Sequence, residues 1–397
     1  MTHPTYTAPR QAQRLLLGLI AVFISDLGVG LLFGFQPPLI ALILERQGTS
    51  SFAIGAVTSA STIAIIVLGP LYPRLISVLG LRWSVVGGIG LAMAMLMIMP
   101  LFAGVPAWML VRLVSGIALG LSWIASEILL NTYATDRNRS TVMAIYATVF
   151  GAGVAAGPIL LQLTGSEGFT PFLVGALALG ASVIPLFFIG DAPPSEPIPS
   201  TALSLRVLVR GAPFIMLAAL VAGLIESADL SLLPVLGLQQ GLGETHALEL
   251  VTVFLTGNVA LQLVIGLLAD RFGRRFILGT CALVSAIGPL ALPHAFTTSG
   301  LLWPLLFVWG GTLYGFYTQG IALVGDTFTG HDLTTANTAF VMVYCAGGVL
   351  GPSLGGLSMD VWRSHGFVVF VSSAALLLLV GLTIESVVRR RASTRPA

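Results

Sequence analysis

The chain has 397 residues, of which 56% are hydrophobic and 9% charged, with a mean hydropathy of +0.97 and a formal net charge of +2. A water-exposed surface normally needs about 25% charged residues, so a soluble globular protein is excluded and lipid must be the solvent for most of the chain. The basic residues are all Arg, in short clusters that offer no surface for nucleic acid.

About 20 apolar residues cross ~30 Å of hydrocarbon as a helix. On that measure the sequence predicts an all-α membrane protein of twelve transmembrane helices. The first span covers 14–43 and carries Asp26 and Gln36, with a break expected near Pro37-Pro38. Its apolar run is too long for the h-region of a signal peptide. Spans follow at 52–77 and 83–103, and the fourth, 107–132, holds Arg112 and Glu127. The fifth, 140–164, contains Gly153, Gly157 and Pro158, and the sixth covers 169–190. The stretch 191–210 carries Pro193, Pro194, Pro197 and Pro199 and reads as a linker, because proline blocks a helical start there. It divides the chain into a six-helix half at 1–190 and a second at 211–397.

The seventh span, 211–238, carries Glu226 and Asp229, three apart and so on one helical face. The eighth, 247–269, has Asn258 and Gln262, and leads into Gly266, Asp270, Arg271, Gly273, Arg274 and Arg275. Asp270 is placed to bridge an Arg or a helix N-terminus, and Gly266 to admit a neighbouring helix. Spans at 275–295 and 300–327 come next, the latter with Tyr314, Tyr317 and Gln319. The eleventh, 335–358, repeats the glycine pattern of the fifth as Gly347, Gly351 and Pro352, at an offset near 194. The twelfth is 366–388. Small residues every four positions let helix backbones approach, and the prolines permit a bend.

Fifteen of the eighteen Arg residues fall in the tails and alternate loops, at 10, 14, 74, 82, 137, 139, 206, 210, 271, 274, 275, 389, 390, 391 and 395. That asymmetry predicts both chain ends on the cytoplasmic side of the cell membrane. Inside the bilayer an ionisable group costs several kcal/mol and marks a functional candidate. The candidates are Asp26, Arg112, Glu127, Glu226 and Asp229. Measured from the expected span ends, Asp26 lies about 18 Å and Arg112 about 21 Å from the inner face, so the two are expected to pair. Glu127 has no basic residue at its depth and is expected to carry a proton. Glu226 and Asp229 are too close for both to ionise easily.

Residues Gly266 to Arg275 resemble the signature loop of the major facilitator superfamily. Arg112 to Gly116 resembles that family's R-x-x-x-G element, and the Gly-Pro segments of spans 5 and 11 resemble its antiporter motif. A closer likeness, to the YcaD-like branch, rests on Trp123 to Glu127, Asp136 to Arg139 and Gly311 to Tyr314. The loop after span 2 has Pro73 where the family pattern has Asp, which weakens its match. The resemblance implies two bundles, a cavity lined by spans 1, 4, 7 and 10, and alternating access. It implies a monomeric secondary transporter that takes a small-molecule substrate and protons (or Na⁺), with no cofactor. Buried carboxylates without Lys point to proton-coupled efflux of amphipathic or cationic molecules. Uptake or facilitated diffusion of a small metabolite, and a non-transporting sensor or scaffold, are the alternatives. No hydrolase, metalloprotease or P-loop motif is found, so an enzyme or an ATP-driven pump is not expected.

Overall fold

A backbone in hydrocarbon must satisfy its own hydrogen bonds, which leaves an apolar run little choice but the helix. The computed structural model describes residues 8–134, 138–189, 212–298 and 300–393, and no strand occurs among them. The helices are α1 (Ala8–Arg46), α2 (Ser51–Leu79, with a 3-10 turn at Gly69–Leu71) and α3 (Leu81–Leu101). Next come α4 (Val105–Tyr133), α5 (Arg139–Thr164) and α6 (Thr170–Phe188). Then follow α7 (Pro213–Gln239), α8 (Glu244–Phe272) and α9 (Arg274–Ala295). The series ends with α10 (Leu302–Thr327), α11 (Gly330–Trp362) and α12 (Ser364–Ser393). The linker 191–210, and Asp136 and Arg137 of the α4–α5 loop, lie outside the described residues.

Eleven of these helices are long and apolar enough to cross a membrane by themselves. The twelfth, α10, spans 26 residues but carries Trp303, Trp309, Tyr314, Tyr317, Gln319 and five glycines. That is the composition of a helix surrounded by protein. It packs against α7, α8 and α9, and Trp309 and Phe316 are fully buried.

The break expected at Pro37-Pro38 does not occur: α1 is continuous to Arg46. Two prolines remove two helix donors, but a membrane helix tolerates this where neighbours surround it. Here residues 34–42 are all buried.

By packing, the chain divides into two units, residues 1–39 with 63–200, and residues 40–62 with 201–397. In the first, α3 packs on α4 and α6, and α1 lies backbone to backbone on α5. Gly30 and Gly34 face the carbonyls of Phe150 and Val154, and Gly153 and Gly157 face Leu27 and Gly34 in return. In the second, α7 packs on α11 in the same manner: Gly223 meets the Tyr344 carbonyl, while Gly347 and Gly351 meet those of Leu220 and Leu224.

Residues 40–62 belong to the second unit through specific bonds. Arg46 forms an ion pair with Glu244, and Gln239 donates to Glu45 at 3.1 Å. Ser59 donates to the Val349 carbonyl at 2.7 Å. Asp360 accepts the backbone N–H groups of Ser51 (2.7 Å) and Phe52 (2.9 Å), so it caps α2 from another helix. Loss of a helix cap costs about 1 kcal/mol. Asp360→Ala is therefore expected to lower the thermal midpoint, with Asn recovering part of the loss. Identical melting curves for wild type and Asp360→Ala would show that the cap contributes nothing.

Candidate functional site

Trp123, Ser126 and Glu127 lie three and four apart on α4, hence on one face. That face meets Asp26 and Phe33 of α1 and Tyr146 and Phe150 of α5. Glu127 Oε1 accepts the Trp123 indole N–H at 3.0 Å and the Tyr146 hydroxyl at 3.3 Å. Asp26, 1% exposed, stands beside Ser126 and Glu127, and its Oδ2 has no hydrogen-bond partner. The rings of Phe33, Trp123 and Phe150 lie 5.7 to 6.1 Å apart, centroid to centroid, and Tyr146 lies 6.2 Å from Phe150.

The expected pairing of Asp26 with Arg112 is corrected by the structure. Arg112 is buried and donates to Gln36 Oε1. Gln36 is ten residues beyond Asp26, about 15 Å further along α1. The two depths were counted from span ends on opposite faces, and the bond to Gln36 shows that Arg112 is level with a point on α1 about ten residues from Asp26. Asp26 instead faces a second carboxylate, Glu127.

The second unit holds a matching arrangement. Glu226 Oε2 accepts the Tyr344 hydroxyl at 2.8 Å. Tyr317 stacks on Tyr314 (6.0 Å, 25°) and stands edge-on to Tyr344 (4.9 Å) and Phe340 (5.4 Å). Asp229 is 1% exposed beside Glu226, and neither of its oxygens has a hydrogen-bond partner. It is a buried group, not one solvated near a helix end. Asn258 and Gln319 are buried, whereas Gln262 is exposed. Asn258 and Gln262 therefore do not share an environment despite their helical spacing.

The two clusters are related by the internal repeat. Trp123, Tyr146 and Phe150 recur as Tyr317, Phe340 and Tyr344, each 194 positions on. Sequence reading applied that offset to the glycines and not to the aromatic residues, so it missed Phe33, Tyr146, Phe150, Phe340 and Tyr344. Applying it to ring-bearing positions would have found the last four.

In the loop after α8, Arg274 forms an ion pair with Asp326 at 2.6 Å and donates to the Ala322 carbonyl at 3.0 Å. Arg275 pairs with Glu385 at 3.4 Å. These tie the start of α9 to α10 and α12. Asp270 and Arg271 are exposed, and Asp270 forms no ion pair among the described residues. Gly266 was expected to admit a neighbouring helix, but a Cβ added there would meet nothing within 4 Å. Arg82, one repeat earlier, holds the Phe187 carbonyl at 2.9 Å and so ties α3 to α6. A recess of about 820 Å³ lined by Asp270, Arg274, Arg275 and Asp326 opens beside this loop, and neither Glu226 nor Asp229 lines it.

This architecture has clear relatives. The chain is 26% identical over 373 residues to the MFS-type transporter YfkF of Bacillus subtilis (strain 168), covering 91% of this chain and 94% of that one. It is 24% identical over 381 residues to the MFS-type transporter YcaD of Shigella flexneri serotype 5b (strain 8401), covering 95% and 96%. Among solved structures, a mutant of the nucleoside transporter NupG superposes with a TM-score of 0.79 over 93% of this chain and 99% of that one, at 15% identity, a likeness of fold. The sequence profile of the Major Facilitator Superfamily matches residues 18–249 and 241–397. Twelve helices, the internal repeat and these matches along the whole chain lead to one conclusion: this multi-pass membrane protein belongs to the major facilitator superfamily, whose members are transporters and not enzymes.

Proposed function

We propose that this protein is a proton-coupled secondary transporter that exports small amphipathic or cationic molecules by alternating access. It would act as a monomer in the cell membrane, with both chain ends in the cytoplasm, as the Arg asymmetry supports. The observation that carries proton coupling is Asp229, buried beside Glu226 with both oxygens unpartnered. Such a group in a membrane helix is stable only with a proton or a cation on it. Asp26, buried against Glu127, repeats the situation in the first unit. A carboxylate that must take and release a proton as its surroundings change is the minimal coupling element. Export in place of uptake rests on the Gly-Pro segments of α5 and α11, which resemble those of antiporters.

The test is flux of labelled organic cations in proteoliposomes under an imposed pH gradient. Acid inside the vesicle is expected to drive cation accumulation there, with protons leaving in exchange. Flux that ignores the pH gradient, or follows a Na⁺ gradient instead, would remove the proton-antiport reading.

A further inference from the structure

We propose that the cluster of α1, α4 and α5 is a binding site for the positively charged head of an organic ammonium compound. The head would sit against the rings of Phe33, Trp123 and Phe150, with Glu127 as its counter-charge. This names a substrate class and a place for it within the transport reading given above.

Three rings from three helices lie about 6 Å from one another: Trp123 and Phe150 are near-parallel (17°), and Phe33 stands across them at 73° and 56°, so the cluster offers two wall directions. Their faces carry the negative lobe of the aromatic quadrupole, and indole attracts cations most strongly. All three rings keep part of their surface open, and so does Glu127. Tyr146 and Asp26, behind them, are buried. The reachable part of the cluster is therefore made by these three aromatic residues and Glu127, not by Tyr146 or Asp26. Glu127 Oε1 is already held by the Trp123 and Tyr146 donors, an arrangement that fixes the carboxylate and leaves Oε2 for a ligand. Beneath it, Asp26 Oδ2 is a buried acceptor with no hydrogen-bond partner. The Arg112 guanidinium is engaged with Gln36, about 15 Å along α1 from Asp26.

The cluster of the second unit shows what a closed version looks like. At the equivalent positions Tyr317, Phe340 and Tyr344 replace Trp123, Tyr146 and Phe150. There Phe340 is fully buried and the Tyr344 hydroxyl donates to Glu226 Oε2. No indole is present in that cluster. The repeat has kept the ring positions in both units, and only the first places an indole ring beside its carboxylate. A quaternary or protonated amine with an apolar substituent matches that chemistry. A neutral molecule of the same shape would gain no cation–π attraction and no counter-charge.

The experiment is equilibrium binding of tritiated benzyltrimethylammonium to the full chain in detergent. Neopentylbenzene, the same shape without the charge, serves as competitor. Saturable binding of the cation is expected, with no displacement by a ten-fold excess of the neutral isostere. Trp123→Leu and Phe150→Leu should each weaken binding by about 3- to 30-fold. Glu127→Gln should weaken it by about ten-fold or more, and Tyr146→Phe, which keeps its ring, by less than either Leu variant. Absence of saturable binding, equal displacement by the isostere, or wild-type affinity in the monodisperse Leu variants would each overturn the proposal. If the Leu variants aggregate, the wild-type isostere competition decides, together with Trp123→Phe, which should lose less than Trp123→Leu. A protein that moves another solute under a pH gradient but binds no cation would lose this site and keep the transport reading. One that binds the cation but moves nothing would do the reverse.

Discussion

Asp229→Asn is expected to abolish pH-gradient-driven flux, by about 100-fold or more, while the protein stays folded. The separation of the two effects follows from the geometry. Neither carboxylate oxygen of Asp229 has a hydrogen-bond partner, so the amide removes no bond. Asn is nearly isosteric with the protonated acid and equally neutral, so it fits the same buried space. The thermal midpoint should therefore shift by no more than about 1 kcal/mol in equivalent stability. What Asn cannot do is release a proton. Asp26→Asn is also expected to lose driven flux, with a somewhat larger effect on stability, since only Asp26 Oδ2 is without a partner and Ser126 stands beside the carboxyl. Glu226→Gln should behave differently, because Glu226 accepts the Tyr344 hydroxyl and an amide can present N–H to it in place of oxygen. That variant is expected to lose both driven flux and some stability. The measurements are pH-gradient-driven flux in proteoliposomes and thermal melting of the same preparation. Driven flux at the wild-type level in Asp229→Asn would remove that residue from coupling. Facilitated exchange that survives without the gradient would show that the transport path itself is intact.

Much of this was readable before any coordinates. Hydropathy placed the spans, including α10, because the alternation of Arg-bearing loops requires an even number. The cost of charge in lipid picked out the five ionisable candidates. The partners of those groups were not readable, because partners are set by where helices cross and by how far each extends. Counting from span ends puts Asp26 and Arg112 level, yet Arg112 bonds Gln36, ten residues further along α1. The positions of Asp326 and Asp360 near span ends do not reveal that one holds Arg274 and the other caps α2. In each case the residue type was visible and its partner lay far along the chain. The rings around Glu127 come from three helices and have no local spacing that marks them. Only the repeat ties them to Tyr317, Phe340 and Tyr344.

The glycines give the sharpest contrast, since sequence weighs them alike and structure does not. Gly351→Val is expected to abolish folding or cost about 3 kcal/mol or more, and Gly266→Ala to be neutral or slightly stabilising. A Cβ at Gly351 would overlap the Leu224 carbonyl, and one at Gly157 would overlap the backbone of Gly34 and Phe35. These obstacles are helix backbone, which cannot rotate away as a side chain can. Relief requires α11 to part from α7, or α5 from α1, along a contact several turns long. At Gly266 nothing lies within 4 Å, and alanine is the better helix former by about 1 kcal/mol. Expression, monodispersity and melting of both variants check this directly. A folded, wild-type-like Gly351→Val would mean that the close approach of α7 and α11 is not what holds this unit together. A Gly266→Ala that melts like wild type yet transports poorly would locate the need for that glycine in another conformation, one in which a helix does close upon it. Stability and flux, measured together, thus separate a glycine that holds the resting bundle from one that serves its motion.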